Sequence, residues 1–190
     1  MAMNRVHRWG CASRPWSLYV SRWLLPWALT DVDLGPTTLE FGPGFGANME
    51  PLLARTGRLT SVEIDGSSAR RLQRRFGDRA EIIEADGTES GLPDASFGSV
   101  VCFSVMHHVP TGDGQDLLLA EAHRMLTPGG VFAGSDGLHS TAFRLLHIGD
   151  TYNPLATDDL PDRLSAAGFV DVEIDTAAGN QRWRAVKPTA

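Results

Sequence analysis

Short apolar runs alternate with amphipathic stretches along this chain, and this alternation constrains its fold more than any other feature. The strand-like runs lie at residues 37–41, 59–64, 80–85, 98–105, 131–136, 170–175 and 181–187. Apolar residues at helical spacing predict helices at 48–56, 67–76, 116–126 and 160–169. Strand and helix in alternation indicate an α/β fold, a mostly parallel seven-stranded sheet with helices on both faces. Residues 176–180 are too few for a crossover helix, so we expect the last strand to be antiparallel.

Composition and charge indicate a soluble domain and argue against a nucleic-acid-binding protein. The chain has 190 residues, 42% of them hydrophobic and 21% charged, as in an ordinary soluble domain. Its formal net charge of −6 argues against a protein that binds nucleic acid through a broad basic surface. The one dense basic run, at residues 70–75, fits the solvated side of a helix. We therefore expect no nucleic-acid partner.

The N-terminal stretch does not have the pattern of a targeting or membrane segment. Its apolar residues are interrupted by Arg22 and Pro26, and no stretch of the chain approaches the ~20 apolar residues that cross a bilayer. We expect a cytoplasmic protein without a membrane partner, and leave its oligomeric state open. We divide the chain into an N-terminal helical segment, 1–34, and a main domain, 35–190.

Aromatic residues are concentrated in that N-terminal segment. Trp16, Tyr19, Trp23 and Trp27 follow one another at helical spacing. Ordinary helix packing accounts for this pattern. The alternative is that the helix folds over a ligand cleft as a lid and supplies an aromatic wall.

The cysteines give no sign of a metal centre. Cys11 and Cys102 lie far apart and have no metal-ligand spacing, which fits a reduced cytosolic protein. No other metal cluster stands out along the chain, and we expect no metal.

A glycine-rich turn follows the first strand-like run. Gly42, Gly44 and Gly46 alternate between that run and the first predicted helix, where backbone N–H groups permit close approach of a ligand. The pattern also satisfies the loose dinucleotide fingerprint, with Glu63 about 20 residues further on. On the glycines alone, a dinucleotide-binding oxidoreductase stays open.

Glu40, two residues before the first glycine, distinguishes the two ligand classes. A carboxylate there repels a pyrophosphate but attracts an ammonium group. S-adenosylmethionine (SAM) carries an ammonium and no phosphate. Glu63 and Asp86, which follow the second and third strand-like runs, suit its ribose hydroxyls and adenine amino group. For Asp86, a turn cap is the main alternative.

The motifs that contain these residues and two further motifs together resemble the class I SAM-dependent methyltransferases, in particular the small-molecule branch. The motifs are ExGxGxG at 40–46, VEID at 62–65, ADG at 85–87, SVMHHV at 104–109 and LTPGG at 126–130. The resemblance implies a Rossmann-like fold, SAM as cofactor and a small-molecule acceptor. The Asn-Pro-Pro-Tyr signature of many amino-group methyltransferases is absent, with residues 103–106 in its place. The implied cofactor-binding residues are Glu40, Phe41, Gly42, Gly44, Gly46, Glu63, Ile64, Asp86, Gly87, Phe103 and Ser104.

Methyl transfer needs alignment of acceptor, methyl and sulfur more than it needs a catalytic side chain. His107 is the candidate general base, because the resemblance places it at the reaction centre; a structural histidine is the alternative. The long connection at 135–154 is a candidate acceptor-binding element, with Asp136, His139, His147, Asp150 and Tyr152 as candidate lining residues. A SAM-binding protein without catalysis also stays open.

Overall fold

A computed structural model describes residues 4–189. For Arg5 it describes the backbone alone. Its centre is one seven-stranded sheet, ordered β3-β2-β1-β4-β5-β7-β6. The strands are β1 Thr37–Phe41, β2 Arg58–Glu63, β3 Ala80–Glu84, β4 Phe97–Phe103, β5 Leu126–Gly137, β6 Val170–Ala177 and β7 Asn180–Val186. β1 to β5 pair in parallel, and β7 lies antiparallel between β5 and β6. The predicted fold class is confirmed.

The helices surround this sheet. They are α1 Arg5–Cys11, α2 Arg14–Tyr19, α3 Leu25–Ala28, α4 Met49–Leu53, α5 Gly66–Phe76, α6 Gly112–Met125, α7 Thr141–Leu146 and α8 Leu160–Ala166. Val20–Leu24 forms a π-helical turn between α2 and α3. Pro26 follows that turn, and because proline has no N–H it cannot donate to the carbonyl four residues earlier. No helix in the described part of the chain combines the length and the hydropathy that crossing a membrane requires.

Several boundaries differ from those predicted. α6 begins four residues before the predicted helix, because Thr111 caps it by accepting from the N–H of Gly114 at 3.0 Å and its first turn is polar. β5 begins at Leu126, so the strand assignment includes the glycine turn at 127–130 that was expected to precede it. α7 lies inside the connection at 135–154 and was not predicted. Apolar periodicity identifies only those turns of a helix that pack on the core.

Two apolar layers cover the sheet. Along β4, Val100 and Cys102 pack on the layer that contains α6 and α8, while Val101 and Phe103 pack on the layer that contains α4 and α5. The second layer also includes Val20, Leu24, Leu25, Ala28 and Leu29 of the N-terminal helices. The N-terminal segment is therefore helical and shares its core with the sheet. The domain boundary at residue 34 stays a prediction.

Candidate functional site

A cavity of about 1250 Å³ opens at the carboxyl ends of the parallel strands. β1 lies between β2 and β4, so the order of the strands reverses beside it. In open α/β sheets, such a switch point leaves a crevice in which ligands bind. The cavity wall contains the glycine turn, the ends of β2, β3 and β4, and parts of α1, α2 and α7.

The glycines of the turn have two different roles. Gly42, Gly44 and Gly46 all have positive φ angles, of 63°, 54° and 79°. Gly42 and Gly44 line the cavity. A Cβ on Gly42 would lie 2.5 Å from Val105 Cγ2, so the turn at Gly42 leaves no room for a side chain. Gly46 instead packs against α5, where a Cβ would lie 2.9 Å from Leu72 Cδ2, and it stands outside the cavity wall.

Glu63 is fixed at the cavity wall by the backbone. Its side chain accepts from the N–H of Gly44 at 2.8 Å and from the N–H of Asp65 at 2.9 Å, one to each carboxylate oxygen. The residue is only 6% exposed and lies beside Ile64, which also lines the cavity. These two bonds hold the carboxylate of β2 against the glycine turn of β1.

Glu40 lies beneath the turn and not in the cavity wall. It is fully buried and accepts from Asn48 Nδ2 at 2.9 Å and from Ser61 Oγ at 3.0 Å. Burial, together with the charge of Glu63, raises the pKa of its carboxyl to about 7 despite these hydrogen bonds. Asn48, which the sequence did not indicate, does line the cavity. It separates Glu40 from that space.

The end of β3 supplies a turn that approaches the cavity closely. Asp86 and Gly87 both line it. Asp86 Oδ1 accepts from the N–H and hydroxyl of Thr88 at 2.9 and 2.8 Å, which is the turn-capping role considered as its alternative. A Cβ on Gly87 would lie 2.9 Å from Leu118 Cδ1 and 3.0 Å from Phe41 Cδ1. Gly87 thus allows the turn to pack directly on the core.

The end of β4 forms the wall beside the glycine turn. Phe103 is buried and Ser104 has a φ of +56°, a left-handed conformation that few non-glycine residues adopt. The N–H of Ser104 donates to the carbonyl of Ser135 at 2.8 Å, which holds this conformation. Phe103 and Ser104 line the cavity together with Phe41 at the end of β1, and their role in binding the cofactor stays a prediction.

His107 and Asp136 form a buried pair further along the cavity. Both are almost fully buried, and the His107 ring donates through Nδ1 to the Asp136 carboxylate. The N–H of His107 donates to the same carboxylate at 3.0 Å. Among residues 4–189, His107 Nε2 has no hydrogen-bond partner. His107 lines the cavity, so the pair places an imidazole ring at that space.

Apart from Asp136, the candidate residues of the connection at 135–154 form two pairs of neighbours, and the rings of Tyr152 and His147 bring these pairs together, with their centres 5.1 Å apart. His139 is exposed and lies 3.1 Å from the Tyr152 hydroxyl. His147 and Asp150 lie instead beside His7 of α1. Phe143 and Leu146 of α7 line the cavity and were not predicted. His7 was also missed, because nothing in the sequence relates residue 7 to residues 140 positions away.

The N-terminal aromatic residues differ in their surroundings. Trp16 and Tyr19 line the cavity. Trp23 is 71% exposed, and Trp27 packs against Arg182, whose guanidinium carbon lies 5.4 Å from the ring centre. The helical spacing therefore places two of the four rings at the site.

Comparisons with known proteins agree with this geometry. A family model described as a methyltransferase domain matches residues 39–134, about half the chain. A probable S-adenosylmethionine-dependent methyltransferase of Mycobacterium tuberculosis is 32% identical over 139 residues, which cover 69% of this chain and 47% of that protein. A ribosomal RNA small subunit methyltransferase A of Cupriavidus taiwanensis is 38% identical over 55 residues, 29% of this chain and 20% of that protein. The chain spans less than half the length of these curated relatives.

Solved structures share the fold. Phosphoethanolamine N-methyltransferase 2 of Haemonchus contortus, in complex with S-adenosyl-L-methionine, superposes with a TM-score of 0.72 at 14% sequence identity. The superposition covers 96% of this chain and 60% of that one. At this identity the likeness establishes the architecture alone.

Proposed function

Because this chain belongs to the class I SAM-dependent methyltransferases, we propose that it transfers the methyl group of SAM to a small-molecule acceptor. The size and the lining of the cavity are the main support for this proposal. Its volume of about 1250 Å³ exceeds the ~300–1,000 Å³ of pockets that hold one small ligand. Its wall includes the glycine turn and the strand-end acids Glu63 and Asp86, as well as His107, Trp16, Tyr19 and Phe143. Such a space suits two ligands that meet in the middle.

We assign the cofactor to the end formed by the strand termini. Gly42 and Gly87 stand where a Cβ would clash with the core, so the backbone itself forms the wall that a flat nucleoside can contact. In the proposed pose Glu63 accepts from the ribose hydroxyls, Asp86 and Gly87 contact the adenine, and Ile64, Phe103 and Ser104 lie against the nucleoside. Gly42 and Gly44 contact the methionine portion. Glu40 attracts the ammonium from beneath the turn, with Asn48 between them.

The protein's part in the reaction is alignment and proton removal. SAM, when bound, supplies a sulfonium that is already an activated methyl donor. The side chains opposite hold the acceptor in line with the carbon–sulfur bond, a positioning effect worth roughly 7–11 kcal/mol. His107 Nε2 accepts the acceptor's proton, and Asp136, a positioning residue, fixes the ring and stabilises the imidazolium.

Three features support a small, fairly apolar acceptor with a hydroxyl, thiol or amine. Trp16, Tyr19 and Phe143 give its end of the cavity an aromatic wall. The net charge of −6 disfavours extended contact with phosphates. The Asn-Pro-Pro-Tyr signature is replaced by residues 103–106. Ribosomal RNA is the second candidate acceptor, since one relative that matches over 55 residues is named for that substrate.

One experiment separates these candidates. The protein is incubated with SAM labelled in its methyl group, together with either a metabolite extract or ribosomal subunits, and His107→Gln is the matched control. We expect label in the small-molecule fraction with the wild type only. Label in RNA would replace the proposed acceptor with the second candidate. Binding of S-adenosylhomocysteine without any transfer of label would favour a cofactor-binding protein.

The aromatic wall is tested by a matched pair of variants. Trp16→Ala removes a ring from the cavity, whereas Trp23→Ala removes one that is 71% exposed. We expect Trp16→Ala alone to raise the KM for the acceptor while the affinity for S-adenosylhomocysteine is retained. Equal kinetics for the two variants would argue against the N-terminal segment as a lid.

A further inference from the structure

Three buried histidines from distant parts of the chain converge beside the cavity. They are His7 of α1, His108 in the turn after β4, and His147 directly after α7. One ring nitrogen from each lies within 4.8 Å of the others. Their ring centres are 4.4–5.3 Å apart, and His7 stacks on His108 while meeting His147 edge-on. Tertiary structure alone produces this cluster, because residues 7, 108 and 147 have no metal-ligand spacing along the chain.

Two of the three rings are oriented by a hydrogen bond through Nδ1. His7 Nδ1 donates to the Asp150 carboxylate at 2.9 Å. His147 Nδ1 donates to the Phe143 carbonyl at 2.7 Å. The His108 ring packs against both of the others. Metal-binding histidines are held in the same way, with one nitrogen bonded to an oxygen acceptor and the other on the metal.

A buried nitrogen of the cluster is also available to a metal ion. In the described part of the chain, His147 Nε2 is buried without a hydrogen-bond partner, an arrangement that costs free energy. A cation between the rings would satisfy it.

We propose that His7, His108 and His147 bind one divalent transition-metal ion of the zinc class. Imidazole nitrogens suit zinc, and three protein ligands leave a fourth tetrahedral position open. His7 and His108 also line the cavity, so the ion joins α1 and the stretch after α7 to the turn after β4 at its wall. Asp150 acts as a positioning residue through His7.

The test uses the full chain, stripped of metal with a chelator and free of SAM and acceptor. Calorimetric titration with Zn²⁺ is expected to show one site in the wild type. Asp150→Asn should weaken binding about 10–100-fold, the usual effect of losing an oxygen acceptor behind a histidine ligand. His147→Gln, which removes a ligand, should weaken it further. His139→Gln, on the same connection but outside the cluster, should bind as the wild type does.

A second readout guards against misfolded variants. Titration of the wild type with Co²⁺ should produce the intense visible absorption of a tetrahedral site, and added Zn²⁺ should abolish it. Zn²⁺ should also raise the melting temperature of the wild type and of His139→Gln, but not of His147→Gln. Absence of saturable binding by the wild type, or equal binding by wild type and His147→Gln, would overturn the proposal. Neither result would bear on methyl transfer, because SAM and acceptor are absent.

Discussion

Replacement of Glu63 by alanine tests the cofactor site at one carboxylate. The change removes the acceptor for the N–H groups of Gly44 and Asp65 and, in the proposed pose, for the ribose hydroxyls. A hydrogen bond to a charged group contributes about 1.5–3 kcal/mol. Loss of one such bond to the ribose therefore weakens S-adenosylhomocysteine binding by about 10–150-fold.

The same substitution affects the fold, so two quantities are measured. The freed N–H groups lower the melting temperature by about 2–4 °C for each kcal/mol of stability lost. Glu84→Ala is the matched control. Glu84 lies opposite Glu63 in the register of β2 and β3, is exposed, and pairs with Arg70 at 3.6 Å outside the cavity wall. Calorimetry should show normal affinity for this control.

One combination of results would refute the assignment. If Glu63→Ala melts at a lower temperature but binds S-adenosylhomocysteine as tightly as the wild type, the carboxylate only orders the glycine turn. The ribose would then have to be held by another group.

Three further predictions follow from named contacts. Burial raises the pKa of Glu40 from 4.5 to about 7. The contribution of this carboxyl to folding stability is therefore full below pH 4.5 and is lost as the pH rises to about 7, a loss of at most about 3 kcal/mol. Urea unfolding across this pH range should show the loss in the wild type and not in Glu40→Gln. In the same assay, Gly42→Ala should lower the free energy of unfolding by about 1–3 kcal/mol more than Gly91→Ala does. Both glycines have a positive φ, but only at Gly42 would the new Cβ lie within 4 Å of another side chain. His107→Gln should slow methyl transfer by about 10²–10⁴-fold without changing affinity for S-adenosylhomocysteine, and equal rates would remove its role as base.

The sheet and the glycine turn were predictable because their signals are local. Each strand of the parallel core is a short apolar run, and Gly42 and Gly44 follow the first of them directly. The hairpin between β6 and β7 was also expected. It closes through Ala178 and Gly179, both with positive φ, as a two-residue hairpin turn requires.

The depth of each acid below the surface was not predictable from its position in the chain. Glu40 and Glu63 both lie at strand ends, yet only Glu63 lines the cavity. The difference depends on Ser61, which faces Glu40 across β1 and β2, and on Asn48, which lies above it. Strand pairing brings these partners together, and the spacing of residues within one segment of the sequence cannot predict such contacts.

The histidine cluster was missed for the same reason on a larger scale. The contacts between His7 and Asp150 join residues 143 positions apart. α7 was missed because its six residues, none of them fully buried, are too few to show a helical apolar repeat.

A crystal structure of the protein with S-adenosylhomocysteine is the most direct test of the proposed site. We expect both ribose hydroxyls within hydrogen-bonding distance of Glu63, the adenine beside Asp86 and Gly87, and the sulfur directed toward the half of the cavity that contains His107. Density for the nucleoside elsewhere, or a Glu63 carboxylate turned away from it, would contradict the account.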